Sequence, residues 1–99
     1  MTDNEIDELL KVTLREGETI ARLVWHGSTQ FKDAAEEDSV RAYLAARSGL
    51  QDFLSKVWPS IVNLWKIESK DGIDYVLIYE LDGKALLFNL GNKCRKIIC

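Results

Sequence analysis

Residues 61–90 read IVNLWKIESKDGIDYVLIYELDGKALLFNL, three apolar runs separated by two Asp-Gly pairs, Asp71-Gly72 and Asp82-Gly83. Asp-Gly tolerates the positive φ angles of a two-residue type I′ turn, whose twist matches that of paired strands. The run from Ile61 to Glu68 is therefore expected to fold back on Ile73 to Glu80, and that run on Lys84 to Leu90. The expected product is a three-stranded antiparallel meander.

Upstream, Thr2-Asp-Asn-Glu5 has capping-box form, and Ile6, Leu9, Leu10, Thr13 and Leu14 fall on one helical face until Gly17, a C′ candidate. Thr19 to Trp25 is rich in β-branched and apolar residues. His26-Gly27-Ser28 breaks it, and Thr29 to Lys32 reads as a short return strand. A second capping sequence, Asp33-Ala-Ala-Glu36, opens a segment in which Val40, Tyr43, Leu44, Leu50, Phe53, Leu54 and Val57 recur at three- and four-residue spacing. This predicts one long central helix, with Ser48-Gly49 as a kink or a place where another backbone comes close, ended by Pro59, with Trp58 its first non-helical residue. The element order is α-β-β-α-β-β-β, an α+β domain. A two-layer arrangement, with helices packed on a five-stranded antiparallel sheet, assembles it.

Ninety-nine residues, 46% apolar and 29% charged, are the size and balance of one globular domain, 1–99, with 92–99 a short basic tail. Up to Gly49 ten acidic side chains oppose six basic ones; from Leu50 six oppose seven, and the whole carries −3. A net acidic chain has no long-range attraction for phosphate backbones, so nucleic acid is not an expected partner. Cys94 and Cys99 are too few for a disulfide framework and read as reduced thiols. The acidic start, Met1-Thr-Asp-Asn-Glu5, does not fit a signal peptide, and no run is long enough to span a bilayer. A cytosolic or nuclear location is expected, cytoplasmic in the first instance.

Glu5-Ile-Asp-Glu-Leu-Leu10, Leu44-Ala-Ala-Arg-Ser48, Trp65-Lys-Ile-Glu-Ser-Lys70 and the closing Lys84-Ala-Leu-Leu-Phe-Asn-Leu90 resemble the opening helix, the central helix, the third strand and the last strand of the roadblock family. These are dynein light chains and Ragulator-like, GTPase-associated scaffolds with a profilin-like fold. Where family members carry a small acidic glycine turn, this chain has Trp25-His-Gly-Ser28. The resemblance implies dimerisation through the central helix and an edge strand, Ile61 to Glu68. Tyr43, Leu44, Arg47, Leu50, Leu54, Ile61, Val62, Leu64 and Trp65 would form that interface. Apolar residues on both faces of an edge strand invite a covering partner, which fits an obligate dimer. The implied partners are a second copy or a homologous chain, and beyond it a dynein intermediate chain segment or a small GTPase and its scaffold. Any membrane association would be indirect. A monomeric longin- or profilin-like subunit of a trafficking complex is the alternative.

No catalytic, cofactor or metal site is read from the residues. His26, the sole histidine, sits in a turn without neighbouring ligands at helical spacing, so a solvated turn residue is favoured over a base or metal ligand. Glu36, Glu37 and Asp38 suit the first turn of a helix, where they complement its dipole. There is no Gly-x-Ser-x-Gly elbow and no phosphate-cradling loop. An enzyme is not expected. Arg95 and Lys96 beside Cys94 leave lipidation open, but a short frayed tail or a strand extension in which Ile97 and Ile98 tuck onto the sheet is preferred. Of the tryptophans, Trp58 and Trp65 are expected to serve self-association. Trp25, beside His26, is either the outermost core residue of the first hairpin or part of a partner surface, the core role being preferred.

Overall fold

A computed structural model describes residues 2–49 and 51–90. Thr2 caps the first helix, α1 (Asp3–Val12), accepting the Glu5 N–H at 3.2 Å on its hydroxyl. The helix stops at Thr13, short of the expected Gly17, because the Thr13 hydroxyl turns back to donate to the Leu10 carbonyl at 2.7 Å. Strand β1 (Thr19–Trp25) turns through His26-Gly27 into β2, which is only Ser28–Thr29. Both turn residues have positive φ, 52° and 82°, as a two-residue type I′ hairpin demands.

The expected long helix is two helices, α2 (Ala34–Ser48) and α3 (Gln51–Val57), followed by a single 3₁₀ turn at Trp58–Ser60. Asp33 caps α2, accepting the Glu36 N–H at 2.8 Å. Gly49 ends it in the left-handed region, φ 68°, with its N–H on the Ala45 carbonyl. A glycine C-cap thus replaces the kink that periodicity alone suggested. α3 ends at Val57, so Trp58 is the first residue beyond the α-helix, as Pro59 leads one to expect; Pro59 itself sits inside the 3₁₀ turn, where its fixed φ is tolerated.

The meander follows: β3 (Ile61–Ser69), β4 (Gly72–Leu81) and β5 (Lys84–Leu90). Its second turn is the expected Asp82-Gly83, with φ 54° and 77°. The first is shifted by one residue. Lys70-Asp71 form it without positive φ, and Gly72 is already the first residue of β4, opposite Ser69. Replacing Gly83 by valine should cost about 1–2 kcal/mol, because no atom lies within 4 Å of a Cβ there and the penalty is backbone alone. Chemical denaturation of the two proteins measures it; equal midpoints would contradict the turn.

The five strands form one antiparallel sheet in the order β2-β1-β3-β4-β5. This overturns the edge position expected for Ile61 to Glu68. β3 is the central strand, bonded to β1 on one side and to β4 on the other. Its apolar residues on both faces reflect burial on both faces. Alternate residues of β3 and β4 point to opposite sides: Leu64, Tyr75, Leu77 and Tyr79 pack with Val40, Leu44, Leu54 and Val57 of α2 and α3. Trp65, Ile67, Val76 and Ile78 pack with Ile6 and Leu10 of α1. Helices therefore cover both faces, three layers in place of the expected two.

A bulge between Arg22 and Val24 shifts the register of β1 against β3. Leu23 and Val24 consequently both join the α2–α3 core, and Trp25 swings to the α1 side.

Candidate interaction surface

The sheet has two edges, and they differ. β2 is two residues long and covers only Val24 and Trp25, so that edge continues along the outer side of Thr19 to Arg22 of β1, a stretch that carries Arg22 and ends at a bulge against β3. β5 is seven residues long, pairs with β4 over its whole length without a register shift, and has no strand on its outer side among the described residues. Its only charged residue is Lys84, at its first position. No proline, bulge or inward charge blunts it. The register sets Leu86 beside Tyr79 on the α2–α3 face and Leu87 beside Ile78 on the α1 face. Leu86 is 37% exposed, Leu87 38% and Leu81, just before the turn, 38%. An edge strand with half-exposed leucines on opposite faces presents apolar area beside an outer side on which no strand lies among the described residues.

The residues expected to form a dimer interface lie elsewhere. Leu44, Leu54, Ile61, Leu64 and Trp65 are buried in the protomer's own two cores. Val62 is half-buried, its carbonyl accepting the Gly27 N–H at 2.8 Å. Tyr43 is at the surface of α2 with its ring 5.6 Å from that of Tyr75. Burial, with the Tyr43 hydroxyl and the Glu68 and Glu36 carboxylates adding to it, pushes the Tyr75 phenol up to about 12. Arg47 belongs to α2, and Leu50 lies outside the described residues, as do Cys94, Arg95, Lys96, Ile97, Ile98 and Cys99. Self-association through β3 is closed, because both of its backbone edges are occupied.

At the end of the sheet, His26 and Gly27 line an open cleft of about 430 Å³ with Pro59, Val62, Glu80 and Asp82. The His26 backbone N–H donates to Oδ1 of the fully buried Asn63 at 2.9 Å. Among the described residues no group of three or more His, Cys, Asp or Glu side chains is placed to hold a metal ion. Trp25 stacks edge-on against His26 at 4.5 Å and against Trp65 at 6.2 Å, and the Arg22 guanidinium lies 4.4 Å over its ring. It is half-buried against the α1 core, which supports the core role. Trp25→Ala should cost about 1–2 kcal/mol, less than a fully buried tryptophan, read from the shift in thermal midpoint. Unaltered melting would make Trp25 a surface residue.

No family model, curated protein or solved structure matches the chain. Trp58 donates through Nε1 to Glu37 at 3.2 Å and stacks under Arg41 at 5.4 Å, so it ties α2 to the 3₁₀ turn. No helix among the described residues is long and apolar enough to cross a membrane.

The sequence reading passed over Leu81, Leu86 and Leu87. A signal for them existed: the last strand of a meander is an edge unless something later pairs with it, and Ala85-Leu-Leu carries no charge.

Proposed function

We propose that the chain is a non-enzymatic protein-interaction module, an adaptor subunit whose docking element is the outer edge of β5, on which no strand lies among the described residues. One observation carries this reading: a seven-residue, unbulged edge strand with half-exposed leucines on both faces. Adding a strand to such an edge gains main-chain hydrogen bonds and apolar burial together. The roadblock resemblance supplies the finer proposal, an adaptor for a dynein motor or a small GTPase complex. The central position of β3 leaves the pairing route that resemblance implied without a free edge, and the proposal therefore assigns the docking role to β5.

Affinity capture from the native cell tests the adaptor role, comparing the unaltered chain with a Leu87→Lys variant of equal melting temperature. A stoichiometric protein partner retained by the first and lost by the second is expected. Failure to retain any stoichiometric partner, or equal retention by both, would refute it.

A further inference from the structure

The two layers that cover the sheet are held in different ways. α2 and α3 stand between β2 and β3, so that layer is tied to strands at both of its ends. α1 precedes every described strand and reaches the sheet through Thr13 to Glu18, a stretch in neither helix nor strand whose Gly17 adopts the left-handed region at φ 84°. The α1 backbone bonds within its own segment, from the Ile6 N–H on the Thr2 carbonyl to the Thr13 N–H on the Leu9 carbonyl, each at 3.1 Å. The sheet ladder runs from β2 to β5 without it. What fixes α1 is one row of side chains: Ile6 and Leu10, four residues apart, and Asp7 beside them. Among the described residues, the bond from the Trp65 indole to Asp7 is the only hydrogen bond that joins an α1 side chain to a strand.

From this division we infer that α1 is a hinged cover, lifting off as a unit about Thr13 to Glu18 and baring Trp65, Ile67, Val76 and Ile78 while the sheet and the α2–α3 layer stay folded. Opening removes two aliphatic anchors and one hydrogen-bonded carboxylate from their contacts, whereas unfolding the sheet gives up the ladder and the second core as well. The smaller loss makes the partly open state the more accessible one. Asp7 also suits a contact that releases. Its carboxylate is buried as a charge, with Lys11 Nζ at 2.9 Å, and on opening it regains water, which returns part of the cost of burying it. An aliphatic side chain at position 7 would recover nothing from water. Ten residues are too few for a stable isolated helix, so the amides of α1 lose their protection together once the row of anchors lets go.

The bared surface is an apolar strip across β3 and β4, bordered by Ile20 and Trp25 of β1. Trp65 leans edge-on against Trp25 at 6.2 Å, a contact between strands that does not need α1. The strip lies on a face of the sheet and is separate from the β5 edge, so the device does not draw on the docking role proposed for that edge.

Amide exchange of the unaltered full chain, followed under native conditions as urea rises, reads the opening directly. Asp7 to Val12 should exchange at least about tenfold faster than Leu64 to Ile67 and share one shallow urea dependence, because little surface is exposed; β3 should follow the steep slope of global unfolding. Thiol labelling resolves the two faces of one strand. Val76 and Leu77 are consecutive on β4 and both fully buried, Val76 beneath α1 and Leu77 beneath α2 and α3. In a Cys94→Ser, Cys99→Ser background, Val76→Cys should react at least about tenfold faster than Leu77→Cys. Adding Val40→Ala, which loosens the α2–α3 core, should speed labelling of Leu77→Cys and leave that of Val76→Cys unchanged. Equal exchange of α1 and β3 along a single urea slope, or equal labelling at the two positions, overturns the inference, because α1 then leaves only when the whole domain unfolds. Fast α1 exchange that spreads residue by residue without a shared slope, with Val76→Cys unreactive, overturns it equally, since a fraying helix end never bares the strip.

Discussion

Trp65→Ala is expected to destabilise the protomer by about 3–5 kcal/mol, the range for deleting a fully buried aromatic side chain. Trp65 is completely enclosed on the central strand, packed with Ile6 and Leu10 of α1, with its ring edge-on to Trp25 at 6.2 Å. Its indole Nε1 donates to Asp7 at 2.9 Å, so the truncation leaves a cavity and also strips a donor from a buried carboxylate. A domain of this size has a total stability of about 5–15 kcal/mol. The variant should therefore be close to unfolding at 37 °C, with its thermal midpoint lowered by more than about 10 °C. Trp65→Phe keeps most of the packing and loses only the hydrogen bond, so it should fall between the two. The result discriminates sharply between two placements of this residue. Were Trp65 an interface residue on an edge strand, the truncation would abolish association and leave the monomer's melting almost untouched.

That difference shows where the sequence was legible and where it was not. Capping residues and positive-φ turns are local: Thr2, Asp33 and Asp82-Gly83 act as expected because each is satisfied within four residues of itself. The strand boundaries of β1 and β5 were equally readable from their flanking breakers. Which strand sits in the middle of the sheet is a different kind of fact. An apolar pattern on both faces means that both faces are covered, but a neighbouring protomer and a helix of the same chain leave the same pattern in Ile61, Leu64, Trp65 and Ile67. Only the pairing of β3 with β1 decides between them. Gly49 was ambiguous for a related reason, since a glycine between two apolar-periodic segments suits a kink and a C-cap alike. The half-exposed Leu86 and Leu87 were legible in part, since the last strand of a meander falls at an edge, but their exposure depends on what the sheet order places beside β5. The bulge that turns Trp25 toward α1 left no sequence signal, because consecutive Leu23-Val24 is an ordinary apolar pair until the register shift at that point is seen.

Asp7→Ala is expected to cost about 2–3 kcal/mol at neutral pH and to change the acid limb of the stability profile. Asp7 is 4% exposed, yet it sits on α1 where a helix surface would ordinarily face water. Its carboxylate accepts from Lys11 Nζ at 2.9 Å and from Trp65 Nε1 at 2.9 Å, and so anchors the helix to the central strand. Burial pushes its pKa up, but the hydrogen bonds from Lys11 and Trp65 and the positive charges of Lys11 and Arg22 together outweigh burial and hold it below the ordinary 3.8. A carboxyl whose folded pKa lies under its unfolded one binds its proton more weakly in the native state. Its contribution is therefore complete above about pH 4 and disappears as pH falls through the lowered native value. The unaltered protein should lose stability steeply in that window, and Asp7→Asn, which cannot ionise, should lose correspondingly less. Charge-assisted hydrogen bonds of this kind contribute about 1.5–3 kcal/mol each, and leaving the Trp65 N–H buried without an acceptor adds to the loss. Urea midpoints from pH 7 down to pH 2.5 for the three proteins measure both effects. Parallel profiles for the unaltered chain and Asp7→Asn would mean that α1 is held to the sheet by apolar contact alone, with Ile6 and Leu10 sufficient and the buried ion pair contributing nothing.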